Sequence, residues 1–166
     1  MNKKKNLTIK ETFALAIQNH QKNNLQVAEN LYKEILKTNP NHIETIFLLG
    51  SLSAQTNNFD KAKKFFKKVI QINPNHVVAH NNLGLVFYGL SECKKAIGCY
   101  KKAIQIQSNY SDAYWNLHSL ASDIDEALTI LKKLYEFDYK FIKAKIMISA
   151  LQGFKGNFNE FDALIT

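Results

Sequence analysis

Asn39-Pro40-Asn41-His42 returns 34 residues later as Asn73-Pro74-Asn75-His76, and Leu49-Gly50 returns as Leu83-Gly84. A third echo, Gln107-Ser108-Asn109-Tyr110 followed by Leu117-His118, keeps the same step. A fixed period of this length commits a chain to a repeat architecture, in which each unit buries its apolar face only against its neighbours. Single residues therefore have to be read by column before they are read one at a time.

The columns divide the chain. Residues 1–8 are expected to be a basic, flexible N-terminus. Thr8 with Glu11 has capping-box spacing and starts a helix near Ile9. That helix ends in the polar turn Gln21-Lys22-Asn23-Asn24. A second helix follows over 25–38, with Val27, Ala28, Leu31, Tyr32 and Ile35 on one stripe, stopped by Pro40. Asn41 is the expected cap of the next helix. This helix–turn–helix unit, 9–42, recurs as 43–76 and 77–110. A fourth unit, 111–141, aligns with three residues missing from its turn and a second capping box at Asp123 and Glu126. A degenerate or incomplete fifth, 142–166, carries Ile148-Ser149, the turn Phe154-Lys155-Gly156-Asn157, Phe158 in the column of Phe59, and Phe161 where a small residue is due. Within a unit, Ala16, Gly50 and Gly84 let the first helix approach the second, where Ala28, Ala62, Ala96 and Ala127 match them. Tyr32, Phe66, Tyr100 and Leu131 are expected to fill the space between units.

Several chemistries are excluded by what the columns leave over. No nucleophile–base–orienter set, carboxylate pair or phosphate loop is visible, so no catalytic residue and no cofactor are expected. His76 and His80 have the i, i+4 spacing of a metal pair, but no third ligand accompanies them, and no metal site is expected. Cys93 and Cys99 lie six apart on one helix and face different ways, which disfavours a disulfide. No apolar run is long enough for a membrane span, and no signal core follows Met1, so the expected compartment is the cytoplasm. The net charge of +8 rests on lysine alone, with no arginine in the chain. Lys33, Lys67 and Lys101, continued by Lys132-Lys133 and doubled by Lys68 and Lys102, form a ridge on the outer side of the second helices. Such a ridge attracts polyanions by charge, yet no specific nucleic acid is expected, because no aromatic residues interleave it.

Leu49-Gly50, Ala62, Phe66 and Pro74, with Leu83-Gly84, Ala96, Tyr100 and Ala103, resemble the tetratricopeptide repeat family. The resemblance spans 9–110 well, 111–141 with a shortened turn and 142–166 loosely. His80 and Tyr114 depart from its Trp column, and His118 from its Gly column. It implies an all-α, right-handed solenoid whose first helices line a concave groove. The groove columns fall on Phe13, Ile17, His20, Phe47, Leu48, Ser51, Asn81, Asn82, Leu85, Tyr88, Trp115, Asn116 and Ser119. In some relatives, including the repeat arm of O-GlcNAc transferase, an asparagine ladder there grips a peptide backbone. Asn82 and Asn116 stand in that column, while Ala14 and Leu48 interrupt it. An amide suits the task because it offers both a donor and an acceptor.

The function implied is a non-catalytic scaffold holding a largely apolar protein or peptide partner in the groove. The aromatic stripe Phe13, Phe47, Trp115 calls for a cover, and self-association is left open as its source. Two alternatives stand beside this reading. One is the repeat arm of a larger enzyme of the glycosyltransferase or methyltransferase class, suggested by the end inside the fifth unit. The other is electrostatic nucleic-acid binding through the lysine ridge. Relatives that hold acidic chaperone tails use a clamp of Lys, Asn, Asn, Lys and Arg. The clamp columns read Phe13, Ile17, Leu48, Val78, Asn82 here, or Phe47, Ser51, Asn82, Asp112, Asn116 one unit later. Neither register supplies a cation.

Overall fold

The computed structural model describes residues 7–154, and the N-terminal lysine run and the expected features at Lys155-Gly156-Asn157, Phe158 and Phe161 lie outside them. Among the described residues the chain is nine α-helices and no strand. They are α1 (Ile9–Gln21), α2 (Leu25–Thr38), α3 (Ile43–Gln55), α4 (Phe59–Ile72), α5 (Val77–Gly89), α6 (Cys93–Ile106), α7 (Ser111–His118), α8 (Ile124–Phe137) and α9 (Ile142–Phe154). Each helix packs on its neighbours in the chain, and among the odd-numbered helices α5 also touches α3 and α7. Contacts so local let each repeat add its own increment of stability.

The starts and stops have identifiable causes. Thr8 Oγ1 accepts from the Glu11 amide at 3.2 Å while the Glu11 carboxylate accepts from the Thr8 amide at 2.8 Å, closing the capping box. At the second box only half forms. Asp123 accepts from the Glu126 amide at 2.8 Å, but the Glu126 carboxylate turns to the Ser122 amide at 2.7 Å. The caps after the two Asn-Pro turns fall to histidine instead of to Asn41. Nδ1 of His42 accepts from the Thr45 amide at 3.3 Å, and Nδ1 of His76 from the Ala79 amide at 3.1 Å. Asn41 stays outside the helix, so the imidazole one residue later is the acceptor in reach of the first turn. The tight turns place Asn23, Asn57 and Ser91 at φ of 61°, 56° and 59°. Asparagine tolerates that left-handed region better than most side chains. In the fourth unit the shortening falls on α7, which stops at His118, while residues 119–123 make the longer connection. Small residues at 16, 50 and 84 support the full-length first helix; His118 occupies that column and the helix ends on it.

The core follows the columns. Tyr32, Phe66 and Leu131 are fully buried and Tyr100 is 1% exposed. Burying such a side chain is worth about 1.5–3 kcal/mol. A Cβ at Gly50 would meet the Phe66 ring at 2.8 Å, and one at Gly84 would run into the Tyr100 ring. The large residues therefore sit on the glycine of their own unit as well as belonging to the core shared with the next: Phe66 and Tyr100 join Leu83, Val86 and Leu117 in one cluster. His80 and Tyr114, in one column, also share a task. His80 Nε2 donates to the Pro74 carbonyl at 2.9 Å, and the Tyr114 hydroxyl to the Ser108 carbonyl at 3.0 Å. Each ties its helix back to the preceding turn.

Gly98 has no such contact. It lies exposed in the middle of α6, and a Cβ there would meet nothing within 4 Å. Glycine inside a helix costs about 0.8–1.0 kcal/mol relative to alanine. Gly98→Ala is therefore expected to stabilise the protein by about that amount, read as a raised midpoint in urea denaturation followed by circular dichroism.

Candidate peptide-binding groove

The odd-numbered helices form one side of the array, and polar side chains clasp them together at two places. Near the N-terminal end, His20 Nε2 lies 3.1 Å from Gln55 Oε1, and its Nδ1 lies 3.3 Å from the Tyr32 hydroxyl. Burial pushes the Tyr32 phenol up to about 12, and its hydroxyl and the Gln55 amide together bracket the imidazole. Further along, Asn116 Nδ2 donates to Asn81 Oδ1 at 2.9 Å, and Asn81 Nδ2 donates to Asn82 Oδ1 at 3.4 Å. Three amides from α5 and α7 thus run head to tail.

The chain of amides has two open ends. Asn116 has its carbonyl oxygen left over and Asn82 its NH2 group. Asn81, 3% exposed, is the buried link between them. An acceptor and a donor so held match the complementary groups of a peptide main chain.

The aromatic stripe has an internal cover. The Phe13 ring packs on His42 at 5.2 Å and the Phe47 ring stacks on His76 at 5.2 Å, so the histidines that cap α3 and α5 also shield the unit before them. Trp115 lies between His118 at 4.4 Å and Phe141 at 5.4 Å. These three rings are half-buried and belong to the joints between units. Burial holds His118 below the usual imidazole range, opposed by its hydrogen bond to the Trp115 carbonyl. A half-buried neutral imidazole is a suitable face for the indole to pack against.

The remaining positions differ in what they offer. Ser51 donates to the Phe47 carbonyl at 3.2 Å within α3, and Ser119, just past the end of α7, to the Asn116 carbonyl at 2.8 Å. Ile17 and Leu48 are half-buried. Leu85 and Tyr88 on α5 are 44% and 51% exposed. α5 carries no acidic or lysine side chain, so the middle of this side combines an open apolar pair with the amide ends. Beyond their 34-residue spacing, nothing in the amino-acid pattern points to the cap-and-cover role of His42 and His76.

Chemistry elsewhere is sparse. Among the described residues no cluster of His, Cys, Asp and Glu is arranged to hold a metal ion, and His76 and His80 are occupied by the contacts above. Cys93 and Cys99 are free thiols, and burial pushes Cys99 up to about 11, away from thiolate at neutral pH. No described helix is long and apolar enough to cross a membrane.

Comparison with known proteins gives the pattern its context. The sequence profile described as Tetratricopeptide repeat matches residues 20–86. No curated protein sequence matches the chain. Among solved structures, the crystal structure of MamA is 25% identical at a TM-score of 0.78, covering 90% of this chain and 89% of that one. YrrB, described as a tetratricopeptide-repeat protein with an unusual peptide-binding site, is 18% identical at a TM-score of 0.71, over 93% and 81% of the two chains. The O-GlcNAc transferase of Thermobaculum terrenum is 19% identical at 0.72, covering 82% of this chain but 27% of its own length. The fold is thus an all-α array of tetratricopeptide-type helical repeats.

Proposed function

The chain carries tetratricopeptide repeats, and on that premise we propose that it is a non-catalytic scaffold holding an extended, largely apolar segment of a partner protein along its odd-numbered helices. The observation that supports this best is the amide run Asn116–Asn81–Asn82, which leaves one acceptor and one donor unspent beside exposed Leu85 and Tyr88. In this reading Leu85 and Tyr88 supply apolar burial, at about 25 cal/mol per Å², and Asn82 and Asn116 set the direction of the bound main chain. Ile17 and Leu48 extend the surface toward the N-terminal end. The scaffold works in the cytoplasm, where Cys93 and Cys99 remain thiols. Peptide binding in YrrB, which shares the fold, is consistent with this use of the array.

The reading is tested by capture from native lysate on immobilised protein, wild type beside Leu85→Ser/Tyr88→Ala. A partner retained by the wild type and lost from the double variant supports it; equal retention contradicts it. A second reading, the repeat arm of a larger enzyme, draws on the transferase of which the matched region is only 27%. It would use the same surface to recruit a substrate protein.

Acidic C-terminal chaperone tails are not expected to bind. Asn82 is the one clamp position matched, and it is matched in the second register, where Asp112 also places a negative charge. A carboxylate terminus requires a cation with charge-assisted hydrogen bonds. Calorimetric titration with such a peptide should show no saturable heat; micromolar affinity abolished by amidating the peptide's terminus would contradict this.

A further inference from the structure

The positive charge of the chain is concentrated on one part of its surface. Residues 59–106 hold nine lysines against two acids, Asp60 and Glu92, a net of +7 out of the chain's +8. Elsewhere 13 lysines face 12 acids, so a general lysine bias does not account for the concentration. All nine lie on α4 and α6, since α5 between them carries none. Lys61, Lys64, Lys67, Lys94, Lys101 and Lys102 are exposed. Lys63 and Lys95 pair with Asp60 and Glu92, and Lys68 donates to the Pro40 carbonyl at 2.8 Å. Lys67 lies near enough to Glu92 and Cys99 for both to feel its charge, which joins the two helices into one field.

Gly98 is the second observation. Lys94, Lys95, Lys101 and Lys102 stand three and four residues on either side of it, so on a helix they surround it on one face. The space above it is open, and no packing contact requires a glycine there. A glycine retained without a packing reason suits close approach of a ligand to the backbone. The corresponding positions on α2, α4 and α8 are Asn30, Lys64 and Thr129.

We propose that the outer faces of α4 and α6 dock the phosphodiester backbone of double-stranded nucleic acid, independently of base sequence, with a phosphate seated in the notch over Gly98. Lysine, a flexible point charge, suits phosphate held without bidentate geometry. No exposed aromatic side chain on these faces offers a platform for single strands. No exposed large apolar residue lies among the α6 lysines to enter a bilayer, and a flat headgroup plane would leave the notch empty. This surface is separate from the groove of the proposed function and stands or falls independently of it.

Fluorescence anisotropy with a labelled duplex in rising KCl tests the proposal. Lys64, Lys67, Lys94, Lys101 and Lys102 should together give a log–log salt slope of about −4.5, at about −0.9 per neutralised phosphate. Lys94→Gln/Lys101→Gln should weaken binding at about 50 mM salt by about tenfold or more and flatten the slope by about 2. Gly98→Leu should fill the notch and lower affinity severalfold with the slope unchanged. Tyr88→Ala should bind like the wild type. Unchanged helical circular dichroism separates these effects from unfolding. The proposal is overturned if the wild type fails to bind at low salt, if the lysine variant binds equally well, if Gly98→Leu has no effect, or if anionic phosphatidylserine vesicles bind under conditions where the duplex does not.

Discussion

Gly84→Leu should destabilise the protein by about 1–3 kcal/mol or more, the cost of overpacking a closed core. The glycine sits under the Tyr100 ring so closely that its first added carbon already collides. Tyr100 is 1% exposed and belongs to one buried cluster with Ala62, Leu83 and Ala103, so the ring has little room to move. The same reasoning orders a series of alanine substitutions. Gly98→Ala should stabilise, Gly50→Ala should destabilise against a ring edge at 2.8 Å, and Gly84→Ala should destabilise further. Replacing Tyr100 by Leu in the Gly84→Ala background should cost less than in the wild type, with a coupling of about 0.5–3 kcal/mol between the sites. Urea denaturation of the four proteins measures it. Equal shifts for Gly84→Ala and Gly98→Ala would show that the column has no packing role.

The second large effect concerns binding. Tyr88→Ala is expected to weaken the groove partner by about 2 kcal/mol or more, the scale of an aromatic hot spot. On sequence grounds Trp115 is the stronger candidate for that role. In the structure its ring is held by His118 and Phe141, so Trp115→Ala should also loosen the joint between the fourth and fifth units. Tyr88 projects with half its surface open. A stability measurement separates the two: Tyr88→Ala should leave the urea midpoint nearly unchanged, while Trp115→Ala lowers it.

Much of the fold was legible because the repeat makes each column report the same contact several times. The small and large columns stood out in this way, but the partners did not: Gly50 and Gly84 match alanines of the second helix by pattern, whereas the rings of Phe66 and Tyr100 are what sit on them. The caps were harder to place, since Asn41 and His42 both follow Pro40 and only backbone geometry decides which side chain reaches the first turn. The cover over Phe13 and Phe47 comes from the same histidines, whose apolar faces are not apparent from their polar type. The three-residue deficit before α8 was visible, but its distribution between helix and turn depends on how α7 ends at His118. In the groove, Asn82 and Asn116 were marked by their shared column. Their connection through Asn81 was not, because Asn81 occupies a column that is aromatic in the units on either side.

On the proposed reading the odd-numbered helices bind the partner through apolar contact and main-chain recognition. Calorimetric titration of the captured partner segment at low and high salt puts this to the test. Wild type, Leu85→Ser/Tyr88→Ala and Lys67→Glu/Lys101→Glu are compared side by side. The expected result is an affinity nearly independent of salt, lost in the groove variant and retained when the two lysines are reversed. Affinity that falls steeply with salt and vanishes on reversing the lysines, while surviving the groove substitutions, would contradict it and move the partner to the outer face.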